Sequence, residues 1–113
     1  MKLTLVHDRS LATGVLGLAL APDGGRAYAS CVDGRVVGLD PSTGEQGALA
    51  GVHGSYASGC VLLPDGRTLV SAGYDGQLLW HDLATRSVTR RVQAHRFWSW
   101  DLALSPDGRR VAS

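Results

Sequence analysis

The sequence predicts an all-β protein built from repeated four-stranded antiparallel units, and three observations carry that prediction. Pro-Asp-Gly recurs at a step of 42 residues, as Pro22-Asp23-Gly24, Pro64-Asp65-Gly66 and Pro106-Asp107-Gly108. A second series keeps the same step: Asp33-Gly34 with Asp75-Gly76, Asp40 with Asp82, and His53 with His95. Between these markers lie short runs rich in Val, Leu, Ala and Thr, punctuated by 15 glycines, which is the pattern of short strands joined by tight turns.

The elements follow in order from that chemistry. In the second unit, Gly59 to Leu63 reads as a first strand. Pro64-Asp65-Gly66 then turns the chain, because Pro presets φ, Asp bonds the local backbone and Gly accepts positive φ. Thr68 to Ala72 is a second strand, Tyr74-Asp75-Gly76 a hairpin turn, Gln77 to His81 a third strand, Leu83 to Arg86 a loop, and Val88 to Val92 a fourth strand. The first unit repeats this with Val15 to Leu20, Arg26 to Ser30, Arg35 to Leu39 and Gln46 to Leu49. By the same register, Leu3 to Val6 is read as a lone fourth strand, and Trp100 to Ser105 and Arg110 to Ser113 as the first two strands of a third unit. The organisation expected is therefore 1–10 as the end of a preceding unit, 11–52 and 53–94 as two full units, and 95–113 as the start of another.

Composition excludes several function classes. A net charge of +1 with 44% hydrophobic residues suits one globular domain. No run of about 18 apolar residues is present, and Met1 to Val6 meets His7-Asp8-Arg9 before a leader could form, so no membrane association is expected. Ten of the 11 basic residues are Arg, and Asn and Ile are absent, as a GC-rich genome would dictate. With ten acidic residues in balance, nucleic acid is a disfavoured partner. Cys31 and Cys60 lack any Cys-x-x-Cys pattern and read as small buried thiols, which suits the cytoplasm, with the periplasm as the alternative.

A period near 40 with four strands resembles the β-propeller blade, and the order His53, Pro64-Asp65-Gly66, Ser71, Asp75-Gly76, Trp80-His81-Asp82 resembles the WD-repeat family. A related bacterial propeller type, with an aromatic and Val/Ala-rich strand after its Pro-Asp-Gly turn, fits Pro22 to Ala29 as well and implies the same architecture. The WD resemblance implies a structural hydrogen-bond network drawn from His53, Ser71, Asp75 and Trp80, with His95 as the counterpart of His53 in the third unit and Ser113 as its one partner. The sequence departs from the pattern where a Trp is expected: His81 stands there, with Trp80 one residue early. The first unit has Leu11, Ala29 and Leu39 in place of the His, the Ser and the Trp. At about 2.7 repeats, against the roughly four to eight blades of a closed propeller, the ring is expected to be incomplete, with open edges that meet further blades or another copy.

No catalytic constellation is legible. Gly-x-Ser-x-Gly, a Gly-Lys-Ser/Thr phosphate loop and His-Glu-x-x-His are all missing, and the single Glu is Glu45. Asp23, Asp33, Asp65, Asp75 and Asp107 sit beside Gly in turns and read as backbone caps. His7 and His81 have no second His at ligand spacing, so neither a metal nor a cofactor is expected. The resemblance implies instead a partner-binding face formed by the His loop and the Asp-Gly hairpin, carried over to Ser55, Tyr56, Tyr74, Arg96 and Phe97. Trp98 and Trp100 are expected to pack between units. The function expected is a non-catalytic scaffold for protein partners, within a multidomain regulatory protein or on its own; the alternative is a ligand-binding or enzymatic propeller of the lactonase or quinone-cofactor kind.

Overall fold

Each Pro-Asp-Gly tripeptide closes a hairpin by the same chemistry. Gly66 N–H donates to the Leu63 carbonyl at 3.0 Å, and Asp65 Oδ1 accepts from Arg67 N at 2.9 Å and Thr68 N at 2.8 Å. Gly24 bonds Ala21 and Gly108 bonds Ser105 in the same way, while Asp23 and Asp107 each cap the backbone two residues on. These turns fix where strands reverse, and the computed structural model, which describes all 113 residues, has ten strands and no helix. No helix is therefore long and apolar enough to cross a membrane.

The strands are β1 (Val15–Leu20), β2 (Ala27–Cys31), β3 (Val36–Leu39), β4 (Gln46–Ala48), β5 (Ala57–Leu62), β6 (Thr68–Gly73), β7 (Gln77–Asp82), β8 (Ser87–Gln93), β9 (Ala103–Leu104) and β10 (Val111–Ala112). They form two four-stranded antiparallel sheets, β1-β2-β3-β4 and β5-β6-β7-β8, and a two-stranded ribbon of β9 and β10. The first strand of each complete sheet carries the same irregularity, between Val15 and Gly17 and between Ala57 and Gly59. Neither sheet closes on itself, so the architecture is an arc of an incomplete propeller.

Adjacent blades pack face to face. Val36 and Leu49 of the first blade meet Cys60 and Leu69 of the second, and Val70, Ala72 and Leu78 on the other face of the second blade meet Leu102. Each fully buried Leu or Val contributes about 1.5–3 kcal/mol. Cys31 and Cys60 are free and buried, and burial pushes the Cys60 thiol up to about 11. The proline turns gather at one end of the arc: a cleft is lined by Pro22, Asp23, Leu62 and Gly66, and Gly108 lies against Pro64. At the other end, the backbone of His53 to Ser55 crosses directly over Gly34, and that of His95 to Phe97 crosses over Gly76, one period later.

Two expectations are corrected. Leu3 to Val6 forms no strand and is exposed, because no strand edge in the structure pairs with it. The segment is tied down further on instead, where Arg9 donates to the carbonyls of Pro41 at 3.1 Å and Ser42 at 2.9 Å. In the third unit only β9 and β10 form where Trp100 to Ser105 and Arg110 to Ser113 were expected, since a two-stranded ribbon with no third strand beside it holds few rungs.

The crossing loops give a direct test of the packing. Gly66 and Gly76 both have positive φ, 65° and 75°, but a Cβ on Gly66 would meet nothing within 4 Å, whereas one on Gly76 would collide with the His95 carbonyl and lie 2.8 Å from that of Phe97. Urea unfolding should show Gly66→Ala costing about 1 kcal/mol, the left-handed backbone penalty alone. Gly76→Ala should cost about 3 kcal/mol or more, because the backbone above it must move.

Candidate functional site

The second blade carries a line of polar side chains that runs from its loop face into its core. Asp75, in the turn between β6 and β7, accepts from Gln77 N at 3.0 Å and from Gly54 N at 2.8 Å. It also bonds His53 Nδ1 at 3.0 Å, pulling the imidazole into the sheet. His53 Nε2 lies 2.9 Å from Ser71 Oγ on β6, and the same hydroxyl lies 2.9 Å from His81 Nε2 on β7. His81 Nδ1 ends the line 3.3 Å from the Ala50 carbonyl. His53, Ser71 and His81 are all buried.

Trp80 does not join this network, which corrects its expected membership. It points to the opposite face of β7, packs beside Val70 and Leu78, and holds the Arg90 guanidinium 4.9 Å above its ring. His81 occupies the place instead. Alternation along β7 puts His81 and Leu79 on one face, and Leu79 pairs across the sheet with Ser71, so His81 reaches the serine diagonally. His95 Nε2 bonds Ser113 Oγ at 2.7 Å in a more exposed setting. The first blade solves the same problem without polar groups: Leu11 packs on a cluster of Ala29, Cys31 and Val37, while Asp33 turns outward to Arg35 at 2.7 Å.

Asp75, His53 and Ser71 have the connectivity of a nucleophilic triad. The Ser71 hydroxyl has no exposed surface, however, and both its sides are taken by imidazole nitrogens, so no substrate atom can approach it. No three His, Cys, Asp or Glu side chains converge as metal ligands do. Burial drives the chemistry of the network. It lowers His53 despite the opposing hydrogen bond and charge of Asp75, and it lowers His81 to about 4, against the pull of the Ala50 carbonyl and with help from the charges of His53 and Arg91. For Asp75 burial works the other way, but the N–H donors of Gln77 and Gly54 and the His53 ring outweigh it and hold the carboxyl below its ordinary value.

Above the network lies an open aromatic surface. Tyr74 sits 5.3 Å from each of Tyr56, Trp98 and Trp100, stacked on Trp98, and the two tryptophans meet edge to face at 5.9 Å. Tyr56 and Trp98 stand one period apart in the sequence, so successive loops deliver equivalent rings to the same face. Of the residues expected on this face, Ser55, Tyr56, Arg96 and Phe97 are exposed and Tyr74 is half-buried. Trp98 and Trp100 were expected between blades but are 59% and 67% exposed, because the short β9–β10 ribbon leaves them uncovered. They were recognisable only as an aromatic cluster; their meeting with Tyr74 needed the fold.

Comparison with known proteins places residues 49–82, from Leu49 through β7, in the family described as WD domain, G-beta repeat. No curated protein matches the chain.

The depressed His81 has a definite consequence for stability. Unfolding releases the ring to its ordinary value of 6.5, so between pH 6.5 and about 4 the unfolded chain binds a proton that the folded chain refuses. Stability therefore falls as pH drops through that window, by about 3 kcal/mol from His81, and His53 acts in the same direction. Chemical denaturation at steps between pH 7 and 4 should show this slope. His81→Gln, which retains a donor toward Ser71 but does not titrate, should flatten most of it.

Proposed function

Since residues 49–82 match the family described as WD domain, G-beta repeat, we propose that the chain is a non-catalytic scaffold which captures a protein partner on the aromatic face above Asp75 and His53. The observation that carries this reading is the ring cluster itself. Tyr56, Phe97, Trp98 and Trp100 are 47–80% exposed, leaving on the order of 500 Å² of aromatic surface open to water. That is near the upper end of what a monomer exposes without a partner, and Tyr and Trp are the side chains that most often anchor interfaces.

Physical reasons support a rigid binding surface here. The loops that present the rings are pinned from below: Gly54 by Asp75, Tyr74 N by the Tyr56 carbonyl at 2.9 Å, and His95 N by the Gly76 carbonyl at 3.0 Å. Side chains on stiff loops lose little conformational entropy on binding. Arg96, exposed beside Phe97, adds a cation at the rim that steers partners more than it holds them.

A photo-crosslinking amino acid placed at Phe97 reports partner capture on this face, and the same group at Thr89, on β8, serves as the outward-facing control. Crosslinked protein should accumulate at position 97 and not at 89. Tyr74→Ala should reduce it at least about tenfold while shifting the melting temperature by only about 2 °C. Equal crosslinking at the two positions, or no loss with Tyr74→Ala, would remove the face from consideration.

A further inference from the structure

The network beneath the aromatic face is one proton short at neutral pH, and this follows from its contacts together with the burial that keeps both imidazoles neutral. Asp75 to His53, His53 to Ser71, Ser71 to His81 and His81 to Ala50 make four contacts in series. Both ends, a carboxylate and a backbone carbonyl, can only accept. Four contacts in series between two acceptors need four hydrogens. Two neutral imidazoles and one hydroxyl supply three. One contact must therefore set two lone pairs against each other.

Distance shows which contact that is. The three contacts from Asp75 to His81 Nε2 lie at 2.9–3.0 Å, ordinary lengths for hydrogen bonds, while His81 Nδ1 stands off from the Ala50 carbonyl at 3.3 Å. Facing lone pairs cost least at the longest separation. His53 then donates from Nδ1 to Asp75, Ser71 donates to His53 Nε2, and His81 donates from Nε2 to Ser71.

We infer that His81 Nδ1 is a proton-binding site built into the blade: it is bare at neutral pH, and on acidification it takes up one proton and donates it to the Ala50 carbonyl, fastening the loop from Ala50 to Gly54 onto β7. No bond breaks in this step; the proton comes from solvent and completes the series without disturbing the other three contacts. Each element packed around His81 contributes to the balance. The loop brings the His53 imidazole, β8 brings Arg91 and the apolar Val88, β6 brings the neutral Ser71, and the turn after β6 brings the one carboxylate, Asp75, which is already engaged by His53, Gly54 and Gln77. Burial, first, and the Arg91 guanidinium resist the charge, which is why uptake requires acid, and the Ala50 carbonyl is what favours it. The loop continues into Ser55 and Tyr56, which joins the site through the chain to the aromatic face, but its existence does not rest on what that face binds.

Long-range ¹H–¹⁵N correlation of the imidazoles in the ¹⁵N,¹³C-labelled 113-residue chain tests this directly. At pH 7.5 the expected pattern is His53 protonated on Nδ1 and His81 on Nε2. His81 should then become doubly protonated only at a proton concentration at least about tenfold above that which titrates free imidazole. The Gly51 amide nitrogen, which senses hydrogen bonding to the Ala50 carbonyl, should shift with the same midpoint. Ser71→Ala removes the acceptor that holds the Nε2 hydrogen, and His81 should switch to the Nδ1–H tautomer at neutral pH. A wild-type His81 already carrying its hydrogen on Nδ1, a midpoint equal to that of free histidine, or a Gly51 shift that does not follow His81 would each overturn the inference. The wild-type spectra decide the matter even if the Ser71 variant fails to fold.

Discussion

One carboxylate sets the geometry of the second blade. Asp75 accepts from Gln77 in its own turn and from Gly54 and His53 in the loop that enters the blade, so one side chain ties its own turn to a loop whose two donors are 21 and 22 residues away in sequence. A charged acceptor with several N–H donors is worth more than a neutral one, and its cost of burial is met only while all donors stay in place. Everything above and below depends on that arrangement. The imidazole of His53 enters the sheet because Asp75 holds its outer nitrogen, Ser71 and His81 find partners because His53 is there, and Tyr56 and Tyr74 meet because they flank the two segments that Asp75 joins.

The first blade shows that the architecture itself does not require this chemistry. At the equivalent positions Leu11 and Ala29 fill the space with apolar atoms, and Asp33 is released to the surface to pair with Arg35. An apolar plug avoids desolvation and is at least as stabilising as a buried polar network of similar volume. The second blade therefore retains a more demanding solution, and the difference between the two blades lies in geometry: a continuous hydrogen-bonded line holds the loop in one position, where an apolar contact tolerates sliding. The blade with the fixed loop is also the one that carries Tyr56 and Tyr74.

Most of the strand plan was legible in the sequence because it is written in turn residues. Pro64-Asp65-Gly66 and Asp75-Gly76 specify backbone angles that few other residues tolerate, so β6 and β7 could be placed almost to the residue, and β1 to its limits. What could not be read were features that depend on the absence or presence of a neighbour. Leu3 to Val6 has a strand's composition but no edge to pair with, and the third unit has a strand's register but only two short strands to share it. Within the site, Asp75, His53 and Ser71 follow from the family resemblance, which also names Trp80, although His81 stands in the place of the expected Trp. The alternation of β7 puts His81, and not Trp80, on the face of Ser71, so strand geometry and not residue type identifies the last member of the line. The aromatic face was half legible: Ser55, Tyr56, Tyr74, Arg96 and Phe97 were carried over from the family resemblance, but Trp98 and Trp100 meet Tyr74 only in the folded chain.

The claim on which the account rests is that Asp75 and His53 act as one unit, and a double-mutant cycle measures it. Unfolding free energies of the wild type, His53→Ala, Asp75→Ala and the double variant should give a coupling of about 1.5 kcal/mol or more, as expected for a buried hydrogen bond to a charged group. Effects that add to within about 0.5 kcal/mol would contradict it and leave the loop held by packing alone.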